Sequence, residues 1–440
     1  MKNVWKKLII ALLIITLILI PSNFVDNGPI TLTVAVYSGN SWGVPQHYAY
    51  KIYDEAAEHF EKEYGKDVNI VLKTGVMYND FSDWFAKQVL MGEETDVFLI
   101  LEEDFSTYAS IGLFEDLSTY LARDNDDYND IYYNKALEAG QYKGTQYSLP
   151  ISVVPSFLIV NKTLLNENNI TIDFDNWDNW TWEAFYNICK AVTKDTDKDG
   201  QIDQFGVFGY EWDNAFYTND ERLFDVDGRK TVFSTDNFIE TVRYLKDLYN
   251  LNRGINVKEA EFDKGKVAFK KFNLSEYRAY GTYPYKIIKY ADFEWDVIPF
   301  PKGPQGQSKS KLYTLQIGIS SRGRNKQIAY DFIKYMTSNE DLQEKVWELT
   351  YTLPANKNTV KRLYEEKKYK YEEFRKLNPD LLSDMISNSY RDPDFKLYSR
   401  LRKVIEQSIF EIMVRDLDVP RNVMELKKEL QYVLDNYIGY

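Results

Sequence analysis

From residue 30 onward, short apolar runs alternate with longer amphipathic stretches. Ile30–Val36 alternates apolar residues with threonine, and a turn-like Ser38-Gly39-Asn40-Ser41 follows. Ile52, Ala56 and Phe60 recur at helical spacing with Glu55, Glu58 and Lys62 between them, which predicts an amphipathic helix. Val68–Leu72 predicts a second strand, Phe81–Met91 a second helix, and Asp96–Leu101 a third, fully buried strand. Strand and helix alternating in this way predict a parallel sheet in an α/β domain. Ligands of such sheets gather at the carboxyl ends of the strands, here Ser38–Trp42, Gly75–Asn79 and Glu102–Asp104.

Ser148-Leu149-Pro150 introduces another apolar run, Val153–Val160, read as a crossing into a second unit. A helix-rich stretch with Trp177, Trp180 and Trp182 comes next, and Thr181 is placed to cap the helix that begins near Trp182. Trp295–Pro301 leads through a Gly/Ser/Lys loop, Lys302–Lys311, into a strand at Leu315–Ser320. Ala329–Met336 and Asp341–Leu349 are amphipathic helices. The chain beyond them is helical in pattern, broken at Pro354, Pro379, Pro393 and Pro420.

Composition narrows the function. A chain of 440 residues has room for two or three compact units. Its net charge of −13 argues against a partner bound through phosphates, so nucleic acid is not expected. One cysteine, Cys189, excludes an intrachain disulfide framework and cysteine-based metal sites. The two histidines, His47 and His59, make no zinc motif. The chemistry available is that of carboxylates, amides, hydroxyls and the rings of 35 Tyr, 25 Phe and 9 Trp.

At the N-terminus Lys2, Lys6 and Lys7 precede Leu8–Ile20, apolar except for Thr16. Thirteen helical residues span ~20 Å against a hydrocarbon core of ~30 Å, so residues 1–27 read as an export signal or a short membrane-surface anchor. No cysteine follows the run, which excludes a lipobox tether.

Three features carry candidate chemistry. Asp195, Asp197, Asp199 and Asp203 stand at positions one, three, five and nine of a loop with Gly200 at six. With the Gln201 carbonyl at seven, this pattern predicts a structural calcium site, although Gly206 stands where a bidentate Glu is usual. Glu102-Glu103-Asp104 at the end of the third strand could act as general acid and base, or accept hydrogen bonds from sugar hydroxyls or a cationic ligand. Aromatic faces at Trp42, Trp212, Phe216, Tyr217, Tyr277 and Tyr313 offer platforms for the C–H face of a sugar.

The order of short motifs resembles the extracellular solute-binding proteins of bacterial ABC importers, in particular the sugar-binding group. It is carried by Ile30–Val36, by Met91-Gly92 through Val97, by Ile111-Gly112-Leu113-Phe114-Glu115-Asp116-Leu117, and by Leu149-Pro150-Ile151 with Val160-Asn161-Lys162. Trp180-Thr181-Trp182-Glu183-Ala184-Phe185, Lys266-Val267-Ala268-Phe269, Trp295–Pro301, Ala329–Ile333 and Leu353-Pro354-Ala355 continue it. The resemblance implies an α/β, two-lobed periplasmic-binding-protein-like clamshell with crossing hinge strands and a helix-rich C-terminus. One lobe would be 28–149 plus 299–347 and the other 150–298 plus 348–440. Ligand would lie between Ser38, Trp42, Glu102 and Asp104 on one side and Ser152, Trp212, Asn273 and Tyr277 on the other, with Tyr313 facing the cleft. Asn273-Leu-Ser-Glu-Tyr277 replaces the glycine and Trp that the family often carries there.

The expected function is therefore non-enzymatic binding of a carbohydrate, an oligosaccharide, by an exported monomer that serves an ABC permease. Two alternatives are an exported glycan hydrolase using Glu102, Glu103 or Asp104, and a peptide or polyamine binder of the same fold.

Overall fold

A computed structural model of the chain describes residues 29–39, 51–65, 67–124, 126–174, 176–225, 227–279, 292–395 and 397–437. The alternating strand Ile30–Ser38 (β1) lies parallel to Val68–Met77 (β2) and to Val97–Ile100 (β3), and all four residues of β3 are buried. The helices Lys51–Tyr64 and Tyr78–Met91 join them, burying Ile52, Ala56 and Phe60 from the first and Phe81, Phe85 and Val89 from the second. This is the parallel α/β unit that the periodicity predicts. A small hairpin, Gln141–Tyr142 (β4) and Thr145–Gln146 (β5), precedes the crossing.

The crossing is one strand, Ser148–Asn161 (β6), longer than the apolar run that foretold it. Beyond Phe205–Phe208 (β7), Val267–Asn273 (β8) and Trp295–Ile298 (β9) lies Ser310–Ile319 (β10). The first half of β6 pairs antiparallel with β10, which in turn pairs with β3; from Ser156 onward β6 pairs with β8, and from Leu158 also with β9. The main sheet runs β2-β1-β3-β10-β6-β8-β7, so β6 belongs to both halves of the clamshell. Leu353–Pro354 (β11) pairs with β6 at Val153 and Ser152, and Ser389–Tyr390 (β12) with the start of β10.

The C-terminal stretch divides by packing. Leu353, Val360, Leu363, Phe374 and Leu382 join the core that holds β1 to β3. The helices Tyr398–Val414 and Val419–Tyr437 instead bury Leu401, Ile405, Val423 and Leu430 against Phe216, Phe238 and Val242. Thr181 caps the helix Trp182–Val192, its Oγ1 accepting from the Ala184 amide at 3.2 Å. Among the described residues no helix is long and apolar enough to cross a membrane, and the N-terminal segment 1–27 lies outside those residues.

Candidate functional site

Where the strands end, the two halves enclose a cavity of about 810 Å³. Its first wall is built from Tyr37 at the end of β1, Tyr78 beyond β2, and Glu102 and Glu103 beyond β3. Tyr37 meets Tyr78 edge-on at 5.0 Å between ring centroids and Phe81 at 5.6 Å, fixing the strand end against the helix behind it. Burial pushes the Glu102 carboxyl up to about 6, even though Arg391 Nε donates to it at 3.0 Å. Burial raises Asp104 likewise to about 6, against a 2.6 Å hydrogen bond from Ser82 Oγ.

The floor comes from the middle of β6 (Ile151, Ser152, Val154) and from Tyr313, Thr314 and Leu315 of β10. β10 runs antiparallel to β3 and begins beyond its end, so these residues project into the space that β3 leaves open. Tyr313 is 36% exposed, with Lys311 Nζ 5.2 Å from its ring centre. Thr314 Oγ1 and Ser38 Oγ, both buried, have no hydrogen-bond partner among the described residues.

The second wall is charged. Asp392 follows β12, and Tyr398 and Arg402 lie one turn apart on the helix Tyr398–Val414. Behind them Asp213, fully buried, receives Lys311 Nζ at 3.3 Å and Arg402 at 3.2 Å; Lys311 also reaches Asp392 at 2.8 Å and Arg402 reaches it at 3.1 Å. Burial alone would raise Asp213, but Lys311, Lys271 and Arg402 outweigh it and hold the carboxyl below its ordinary value. Burial would also discharge Lys311, and Asp213 and Asp392 reverse that by raising it.

Of the residues singled out in the sequence, Glu102, Glu103, Ser152, Asn273 and Tyr313 line the cavity together. The Asn273 side-chain oxygen accepts from the Glu276 amide at 2.8 Å, so it also starts a helix. Ser38 and Asp104 stand just behind the first wall. Four expectations need correcting. Trp212, Phe216 and Tyr217 are buried in the second core, Trp212 beneath Arg402, and Tyr277 is wholly buried between Phe157 and Trp295, so none presents a ring to the cavity. The helix Trp212–Thr218 is buried at every residue and Tyr277 lies on the helix Leu274–Ala279 against the core, which a count of rings cannot reveal. Trp42 lies outside the described residues. Sequence reasoning missed Tyr53, Tyr351, Asp392, Tyr398 and Arg402. The Asp-Pro-Asp break at 392–394, followed by Tyr398 and Arg402 at i and i+4, was the available signal.

The acidic loop is well formed. Carboxylate oxygens of Asp195, Asp197 and Asp199 lie within 4.8 Å of one another. Asp195 accepts from the amides of Lys198 and Gly200, each at 2.7 Å, and Gly200 takes φ +96°, which only glycine adopts at little cost. Asp203 is engaged elsewhere: hydrogen bonds from Thr196, aided by Lys266 at 3.1 Å, hold its carboxyl down to about 2. The Gln201 amide donates to Asp199 at 2.8 Å.

A family model described as bacterial extracellular solute-binding protein matches residues 45–343. No curated protein sequence matches. Among solved structures, the sugar-binding protein MalE of Xanthomonas citri is 16% identical with a TM-score of 0.74, covering 92% of this chain and 98% of that one. The cyclic α-maltosyl-1,6-maltose binding protein of Arthrobacter globiformis is 17% identical with a TM-score of 0.71, covering 93% of this chain and 100% of that one. An ABC substrate-binding protein of Listeria monocytogenes in complex with cycloalternan is 19% identical with a TM-score of 0.66, covering 92% and 99%. At these identities the likeness is one of fold.

Proposed function

The chain belongs to the bacterial extracellular solute-binding proteins, and from that premise we propose that its cavity binds an oligosaccharide for delivery to the permease of an ABC importer. The observation that carries this reading is the floor: a part-exposed Tyr313 face beside the unpartnered hydroxyl of Thr314, with Glu102, Ser152 and Asn273 around it. A sugar offers one apolar C–H face and a rim of hydroxyls, which suits a ring flanked by polar groups. The solved neighbours whose names record maltose, cyclic maltosyl or cycloalternan ligands support the same class. Its members are binding proteins rather than enzymes, and Glu102, the best-placed carboxylate of the hydrolase reading, is tied to Arg391.

Calorimetry against linear and cyclic malto- and manno-oligosaccharides, with product analysis, tests the proposal. Binding without turnover is expected. Failure of every glycan alongside binding of spermine or a short peptide would transfer the fold to the polyamine or peptide reading.

The reading extends to export, with residues 1–27 as signal or surface anchor, and to action as a monomer. It also places calcium in the loop, held by the Asp195, Asp197 and Asp199 carboxylates and the Gln201 carbonyl, with Asp203 completing the set only by giving up Thr196 and Lys266. Calcium would fix the loop beside β7 and would take no part in ligand chemistry. A thermal midpoint that rises with calcium and falls with chelator is expected; an unchanged midpoint removes the metal from the reading.

A further inference from the structure

Among the described residues Arg278 is the most deeply buried guanidinium, and the cavity walls described above make no use of it. It lies on the helix Leu274–Ala279, which continues β8 directly after the cavity residue Asn273. Burial draws it down to about 10, so it still carries its charge at neutral pH. Its Nη2 donates to the Trp347 carbonyl at 2.7 Å, and its Nη1 to the carbonyls of Thr352 at 2.9 Å and Thr350 at 3.1 Å. These carbonyls belong to the last turn of the helix Glu340–Leu349 and the segment leaving it. A helix C-terminus presents unpaired carbonyls and partial negative charge, the environment that accepts a cation out of water. The guanidinium also lies 3.5 Å over the Trp347 ring, whose indole stacks in parallel with Phe374 at 4.5 Å. Glu373 stands 3.9 Å from Nε.

The position matters because of what these carbonyls adjoin. The helix Glu340–Leu349 packs on the helix Lys51–Tyr64 of the β1–β3 half, whereas Arg278 extends from β8 of the other half. Thr350, Tyr351 and Thr352 line the cavity, and Leu353–Pro354 then pairs with β6 where that strand passes from one half to the other. One side chain thus grips the lip of the cavity from across the hinge. Sliding it off would leave a buried cation and three carbonyls without partners, a cost that confines the hinge to a narrow set of angles.

We propose that Arg278 is a positioning residue for the cavity: its fork onto the carbonyls of Trp347, Thr350 and Thr352 sets the angle between the halves before ligand arrives. The affinity part of this rests on the cavity being the ligand site; the angular part does not. A cleft that spends most of its time at the binding-competent angle binds tightly, and one that samples many angles binds in proportion to the competent fraction.

The test measures distances between spin labels on Leu90→Cys and Tyr432→Cys, residues 88% and 66% exposed on opposite halves. Native Cys189 is buried and escapes labelling. Without ligand, the parent protein is expected to give one narrow distance distribution. Arg278→Met should broaden it and weaken maltotetraose binding about tenfold, as expected when the competent fraction falls to about a tenth. Arg278→Lys keeps the charge without the planar fork; it should broaden the distribution too, and it serves if the Met variant fails to fold. Phe374→Leu loosens Trp347 from its other face, and should lower the thermal midpoint while leaving the distribution narrow. An unchanged distribution in both Arg278 variants, or equal broadening by Phe374→Leu, overturns the proposal. If the parent binds no oligosaccharide, the cavity reading fails and the ligand-free distributions still decide the role of Arg278.

Discussion

The two walls of the cavity hold similar numbers of carboxylates and treat them in opposite ways. On the first wall, Glu102 and Asp104 sit at the end of a buried strand; Arg391 pairs with Glu102 and Lys311 acts on it more weakly, yet burial lifts both carboxyls to about 6. On the second, Asp213 is more deeply buried than either, yet it is held below its ordinary value because Lys311, Lys271 and Arg402 converge on it. Burial does not by itself decide the charge of a carboxylate; the number of cations buried with it does. The first wall is thus left short of positive charge and ready to donate or accept hydrogen bonds, while the second is a closed ionic assembly that shapes the cavity without offering free charge.

The largest effect should come from opening that assembly. Asp213→Asn leaves Lys311 with Asp392 and Arg402 with Asp392 and Glu406, and removing one member of a buried ionic group costs ~3–5 kcal/mol. Glu102→Gln, by contrast, deletes a charge that burial already opposes and should raise stability at pH 7 by on the order of 1 kcal/mol rather than lower it. Urea unfolding of the two variants compares the walls directly. Equal losses would mean that the cations around Asp213 do not distinguish it from Glu102.

How much of this contrast was legible in the sequence depends on how far apart the partners lie. The first wall was: β3 is an uninterrupted apolar run, and the acids that follow it must emerge at its carboxyl end. The crossing strand and the loop at 195–203 were legible for the same reason, since each is written in a few consecutive residues. The second wall brings together residues near 213, 311, 392 and 402, and no local pattern links them. Trp212 and Tyr277 went astray at the same point. Which face of a turn meets the core is set by helices that arrive from far along the chain, here Tyr398–Val414 for Trp212 and the β6–β9 pair for Tyr277.

A second effect, smaller and opposite in sign on the two walls, should appear on acidification. Glu102 and Asp104 lie near 6 in the folded protein against ordinary values of 4.5 and 3.8, so the folded state holds more protons than the unfolded chain across that window. Stability therefore falls as pH rises through 4 to 6, and lowering the pH from 7 to 5 should return on the order of 1–2 kcal/mol for each group. Asp213 works the other way: its contribution is present above the unfolded carboxyl value of about 4 and is lost as pH drops through its lower folded value. The double variant Glu102→Gln/Asp104→Asn should lack the gain between pH 7 and 5 while keeping the loss below pH 4. Urea midpoints that run parallel to the parent's from pH 7 to 5 would sink this account of the first wall.

The smallest effect separates rings that face the cavity from rings that support it. Tyr313 is part-exposed on the floor, whereas Tyr53 lines the same cavity at 5% exposure, with burial raising its hydroxyl above its ordinary value. Stacking of one sugar face on one ring is worth about 0.5–1.5 kcal/mol beyond the area it covers. Tyr313→Ala should therefore weaken oligosaccharide binding roughly threefold to tenfold, and lower the unfolding midpoint less than Tyr53→Ala does because Tyr313 is already 36% exposed. Tyr53→Ala should do the reverse, lowering stability by about 3 kcal/mol through the cavity it leaves and reducing affinity only as far as the wall relaxes. Calorimetry and urea unfolding on both variants give four numbers. If Tyr313→Ala costs stability and not affinity, the ring is core after all, and the sugar must find its platform on the first wall, at Tyr37 or Tyr78.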